Sequence, residues 1–119
     1  MKKVNISEKI GAIGEYWSPH IVGSLNGQHV KLARIKGEFV WHHHADADEM
    51  FFILKGRLIL RMHDGDVVLD PGEFFIVPKG VEHLPVAEEE VHLMLFEPHS
   101  TLNTGNVQNE RTIDSLPWI

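Results

Sequence analysis

Apolar and polar positions alternate with a period of two along much of this chain. In Arg57-Leu58-Ile59-Leu60-Arg61-Met62 the alternation sets Leu58, Leu60 and Met62 on one face and Arg57, Ile59 and Arg61 on the other. That is the mark of a strand with one face in a core. Similar β-rich runs occur at 20–25, 28–35, 38–44, 49–54, 67–69, 73–77, 84–87 and 91–96. Turn residues separate them: Asn26-Gly27, the strongest two-residue hairpin signal, then Lys55-Gly56, His63-Asp64-Gly65-Asp66, Asp70-Pro71-Gly72 and Pro78-Lys79-Gly80. Gly37 marks a bend, and Pro98 ends the regular pattern. Residues 4–14 suit either a short helical turn or a strand. Residues 99–119 are polar until Leu116, Trp118 and Ile119, an apolar end expected to pack on the barrel or on a neighbouring subunit. Eight or so short strands with little helical periodicity predict an all-β sandwich or barrel.

Composition narrows the class. A chain of 119 residues can build one core and is too short for two, so a single domain over 1–119 is expected. The apolar fraction of 43% and charged fraction of 24% are those of a soluble globular protein. A formal charge of -6 with no Lys/Arg cluster argues against nucleic-acid or anionic-membrane partners, and leaves a small molecule of either sign open. Without cysteine there are no disulfides, thiolate ligands or cysteine nucleophiles, which fits a reducing cytosol. Met1-Lys2-Lys3 is a basic start, but Asn5, Ser7, Glu8 and Lys9 interrupt any apolar run, so no signal peptide is expected. No stretch approaches transmembrane length. A cytoplasmic location is the expectation.

One cluster names a chemistry. His42, His43 and His44 stand on a predicted strand, Glu49 opens the next one, and His83 follows the Pro78-Lys79-Gly80 turn. Side chains two apart on a strand share a face, so His42 and His44 can grip one ion together while His43 points away. Glu49 can fold back after a turn at 46–48, and His83 can close the set from across a barrel. Nitrogen and carboxylate donors without sulfur suit one divalent transition metal: Fe, Mn, Ni, Co, Cu or Zn. Four ligands on an octahedral ion leave two positions open for substrate or dioxygen; a tetrahedral zinc would read as closed and structural. Each residue taken singly has a plainer reading, as a surface histidine tract, a turn histidine or a solvated acid. Their joint occurrence in a β-rich chain favours metal. His20, His29, His63, His92 and His99 are scattered and read as surface or packed residues.

These residues and their spacing resemble the cupin superfamily. Its first motif runs Gly, a short gap, His-x-His, three or four residues, Glu, six residues, Gly. Here it is Gly37, His42-His43-His44, Glu49 and Gly56, with four residues rather than the usual five after Gly37. Its second motif runs Gly, five residues, Pro-x-Gly, two residues, His, three residues, Asn. Here it is Gly72, Pro78-Lys79-Gly80 and His83, with Ala87 in place of the Asn, which is not a ligand in the family pattern. The resemblance covers 37–56 and 72–87 and implies a single-domain double-stranded β-helix, a cupin jelly-roll barrel, with the metal held by His42, His44, Glu49 and His83. Within the superfamily the chain resembles small RmlC-like monocupins often labelled sugar-phosphate-isomerase-like, a label that is not an activity. The resemblance also implies a homodimer, with Trp17, Trp41 and Trp118-Ile119 as interface or core residues.

Three functions follow. The first is a metal-dependent oxygenase, isomerase or lyase acting on a small oxygenated molecule. Its pocket would be lined by Arg34, if Val30, Leu32 and Arg34 face inward, by Glu38, which shares parity with His42, and by Phe51 and Ile53, which share parity with Glu49. The second is a non-catalytic binder or sensor using the same metal. The third and weaker reading is a metal-free, sugar-epimerase-like enzyme using one histidine as base. A complete set of three His and one Glu argues against it.

Overall fold

The computed structural model describes residues 2–119; Met1 of the basic start lies outside them. A short helix, α1 (Ile6–Gly11), precedes seven strands: β1 (His20–Leu25), β2 (Gln28–Glu38), β3 (Glu49–Lys55), β4 (Leu58–Arg61), β5 (Val67–Leu69), β6 (Phe74–Val77) and β7 (Leu84–Pro98). All named strand pairs are antiparallel, in the order β1-β2-β7-β3-β6, with β4 joining β7 to β5. The fold is an all-β jelly roll.

The local chemistry explains the elements. Asn5 caps α1, its side chain accepting from the Glu8 amide. That settles residues 4–14 as a helical turn. Asn26 and Gly27 both take positive φ, 52° and 80°, the geometry that joins β1 to β2 with the twist strands prefer. Residues 84–98, expected as two runs, form one strand. Its register against β2 passes from Ile35↔Val91 to Gly37↔Ala87, so the three glutamates at 88–90 bulge outward without breaking it.

The alternation then fills the barrel. Phe51 and Ile53 of β3, Leu58 and Leu60 of β4, and Ala87, Val91, Leu93 and Leu95 of β7 form the inner cluster. Burying one such side chain contributes about 1.5–3 kcal/mol. In β2 the inner face carries Lys31, Ala33 and Ile35, not Val30, Leu32 and Arg34. Leu32 is nonetheless fully buried, because Ile10 and Ile13 of the N-terminal segment cover the outer side of β2. With apolar residues on both faces, the strand's hydrophobic pattern could not say which side was in.

The C-terminal end lies against the barrel. Ile119 N–H donates to the Ile21 carbonyl and Ile21 N–H to Pro117, while the Ile119 side chain packs beside Ile10 and Leu32. Among the described residues no helix is long and apolar enough to cross a membrane.

Candidate metal centre

The site is assembled by two reciprocal hydrogen bonds. His42 N–H donates to His83 O at 3.1 Å and His83 N–H to His42 O at 2.9 Å, so the extended segment before β3 is paired directly with the start of β7. This pairing sets the two rings 4.3 Å apart. Gly80 N–H donates to His44 O at 2.8 Å, and Lys79 N–H to the Asp48 carboxylate at 2.9 Å. The Pro-Lys-Gly turn therefore holds the loop that leads to Glu49, whose inward position on β3 completes the group. One donor atom from each of His42, His44, Glu49 and His83 lies within 4.8 Å of all the others, and all four residues are buried.

Two imidazoles are fixed in one tautomer. The Nδ1 of His42 lies 2.9 Å from the Val40 carbonyl, and that of His83 lies 2.9 Å from the Val81 carbonyl. A carbonyl only accepts, so each Nδ1 carries the proton and each Nε2 offers a lone pair. Burial first, then the nearby His83, pushes His42 down to about 4, which keeps its ring neutral at ordinary pH. Burial alone would raise Glu49, but the closely placed side chains of Glu97, His44 and His83 outweigh it and hold the carboxyl well below the usual carboxylate range. Neutral imidazole at His42 and ionised carboxylate at Glu49 are the forms that bind metal.

The residues fit an ion. Glu49 Oε1 lies 3.2 Å from His44 Nε2 and 3.3 Å from His83 Nε2. These three buried atoms have no hydrogen-bond partner. Buried polar atoms without partners are rare and costly. Donors bonded to one metal at about 2.1 Å stand roughly 3 Å apart when adjacent, so the observed spacing suits coordination.

Behind Glu49 lies a second buried pair. Lys31 Nζ sits 2.7 Å from Glu97 Oε1, with both side chains almost wholly excluded from solvent. Lys31, Glu97 and Glu49 are inward residues of the neighbouring strands β2, β7 and β3. Burial and the charge of Glu49 push Glu97 well above its ordinary range, with Lys31 pulling the other way.

A narrow cavity of about 50 Å³ opens on the site, lined by His42 and Glu49 together with Trp17, Phe39, Phe51 and Leu95. Trp17 and Phe39 stack at 4.8 Å. Of the pocket residues expected from parity, Phe51 lines this cavity. Ile53 shares its face but lies deeper, fully buried in the core. Arg34 is placed on the outer face, donating to Glu90 and to the Ile13 carbonyl. Glu38 is exposed, because Gly37 at φ 90° resets the alternation before His42. Neither lines the cavity. Sequence reasoning missed Ala33 and Ile35, on the inner parity of β2, and Leu93 and Leu95, whose alternation with Glu97 was a usable signal. It also missed Asn103, in a polar segment where no periodicity points anywhere.

An antiparallel jelly roll with three histidines and one glutamate converging inside one mouth defines a class of small β-barrel proteins built to hold a metal. A cupin domain family model matches residues 29–99, and the chain belongs to that family. A cupin-2 domain containing protein of Shewanella frigidimarina has a solved structure that is 41% identical, with a TM-score of 0.79 over 81% of this chain and 94% of that one. An uncharacterized protein of Bacillus subtilis is 38% identical over 52% of this chain and 56% of its own length. The acireductone dioxygenase of Bacillus licheniformis is 33% identical over 72% of this chain and 48% of its own length. The chain thus spans about half the length of the curated relatives it matches.

Proposed function

We propose that this protein is a metal-dependent enzyme, an oxygenase, isomerase or lyase, acting on a small oxygenated molecule with an apolar body. The observation that carries this is the set of unpartnered, buried donor atoms of His44, Glu49 and His83 beside a tight aromatic cavity. His42, His44, Glu49 and His83 would hold one divalent ion, which supplies Lewis acidity and a template for substrate oxygens. The backbone carbonyls of Val40 and Val81 keep the His42 and His83 lone pairs aimed inward. Trp17, Phe39 and Phe51 would pack the substrate's apolar part and exclude water. The likeness to a protein named a dioxygenase, over nearly three quarters of this chain, supports the oxygenase version. A non-catalytic binder built on the same metal is the second reading, favoured by the small size of the cavity.

A metal-free sugar epimerase suits the lining poorly. Sugars present hydroxyls on most carbons, and the cavity wall is mainly aromatic and aliphatic. The Asn103 amide there is engaged by the Arg111 carbonyl and the Ile113 amide. We also place the protein in the cytoplasm as a homodimer. The exposed Phe74 and Ile76 on β6, a strand that among the described residues pairs with β3 alone, support a pairing surface.

Elemental analysis of the purified protein tests the main reading. Near one Fe, Mn or Ni per chain is expected, and His44→Ala should abolish it. No metal above trace, after anaerobic preparation with each ion supplied, would overturn it. Oxygen uptake with diketones, flavonols and thiol acids then separates an oxygenase from a binder.

A further inference from the structure

The C-terminal segment lies beyond residue 99, where the family match ends, yet it touches the ligand-bearing strand directly. Asn106 N–H donates to the His43 carbonyl at 3.1 Å, and the Asn106 side-chain oxygen accepts from His43 N–H at 2.8 Å. Both backbone polar groups of His43, the residue between the two ligand histidines, are thereby held by one residue. Gly105, at φ 56°, packs so closely that a Cβ there would collide with the His43 carbonyl and stand 3.1 Å from Cδ2 of the His42 ring.

The segment is braced to bear on that strand. Thr104 is fully buried, and its hydroxyl meets the Val107 carbonyl at 2.5 Å and the Thr112 hydroxyl at 2.7 Å. The Asn103 amide ties to Arg111 O and Ile113 N–H. Arg111 in turn donates to the Glu38 carbonyl at 2.7 Å and lies over the Trp17 and Phe39 rings at 5.4 and 5.6 Å. One end of the loop grips the cavity wall and the other grips His43.

We propose that residues 103–113 are a clamp that completes the metal centre, with Asn106 and Gly105 as positioning residues for His42 and His44. The inference rests on the metal reading above and deepens it. Two imidazoles on alternate positions grip one ion only while the peptide between them keeps its phase. Rotation at residue 43 would swing both out of register, and the paired hydrogen bonds of Asn106 oppose that rotation. Gly105 backs the His42 ring on the edge next to its Nε2.

Cobalt(II) is the probe: its visible d–d spectrum reports ligand geometry, and competition with a chelator gives affinity. Thermal unfolding of each metal-free variant checks the fold. Asn106→Ala and Gly105→Ala should bind cobalt about 10–100-fold more weakly and with altered bands. Asn106→Asp keeps the acceptor for His43 N–H and should stay within about threefold of the parent. Parent-like affinity and spectrum in a folded Asn106→Ala, or equal losses in Asn106→Ala and Asn106→Asp, would overturn the clamp. If Gly105→Ala does not fold, the Asn106 pair decides alone. Should the parent chain bind cobalt no better than His44→Ala, the metal reading itself fails, a separate outcome.

Discussion

Lys31 is almost wholly excluded from solvent, at 1% exposure, although it stands among the apolar residues of an inward strand face. An ammonium there is tolerable because Glu97 lies 2.7 Å away, and desolvating either group without the other is expensive. Glu97→Leu should therefore cost about 3–5 kcal/mol in urea denaturation by leaving Lys31 unpaired. Lys31→Met combined with Glu97→Leu should recover most of it, since an apolar pair of similar volume leaves no unpaired ammonium in the core. A double variant no better than the single would mean the pair is not what the fold leans on. The same residue shows a limit of pattern reading. Lys31 looks like a surface position and Leu32 like a core one, so Arg34 reads as inward. The partners that reverse this, Glu97 and the α1 region, are distant in sequence.

Among the elements, β7 does the most. It pairs with β2 on both sides of its bulge, with β3 along its later part and with β4 along its start. The bulge at 88–90 lets it do so, and Gly56 after β3 accommodates the bulge. A Cβ on Gly56 would lie 2.6 Å from the Glu90 carbonyl oxygen, with φ already at 82°. Gly27, in the β1–β2 turn, has a similar φ of 80° but open space around it. Gly56→Ala should thus destabilise by at least ~1 kcal/mol more than Gly27→Ala, the shared strain of positive φ being common to both. Chemical denaturation of the two variants measures the difference, and equal losses would show that the bulge yields freely. Strand starts and turns were legible because Gly, Pro and Asn are local signals. The continuity of β7 was not, since three successive glutamates look like a break unless the strands beside them are known.

At the scale of the whole molecule, Glu90 links the N-terminal segment to the sheet. Its carboxylate accepts from Tyr16 at 2.7 Å and Arg34 at 3.0 Å, and contacts His92 at 2.6 Å. Arg34 first, then Tyr16 and His92, holds its carboxyl far below the ordinary carboxylate range. A carboxyl depressed in the fold adds stability that is present above the unfolded-chain value and is lost as pH falls through the folded one. Glu90→Gln should therefore be less stable than the parent at neutral pH, and the gap should narrow as pH falls below about 4. Melting curves across that range check the sign; a gap that widens in acid would refute it. For the proposed pairing of two chains, light scattering should give twice the chain mass of 13.6 kDa. Phe74→Glu with Ile76→Glu should halve that value if β6 is the surface.

By itself, the sequence determined the class of fold and the identity of the four residues now seen converging. Period-two alternation, turn chemistry and ligand spacing are short-range facts, and each is written in residues a few positions apart. Only the tertiary structure decided which face of β2 looks inward, that Trp17 and Phe39 wall the cavity, and that residues 103–113 close on His43. Those outcomes depend on which distant segments share a neighbourhood, and a polar loop without periodicity carries no local trace of the strand it will hold.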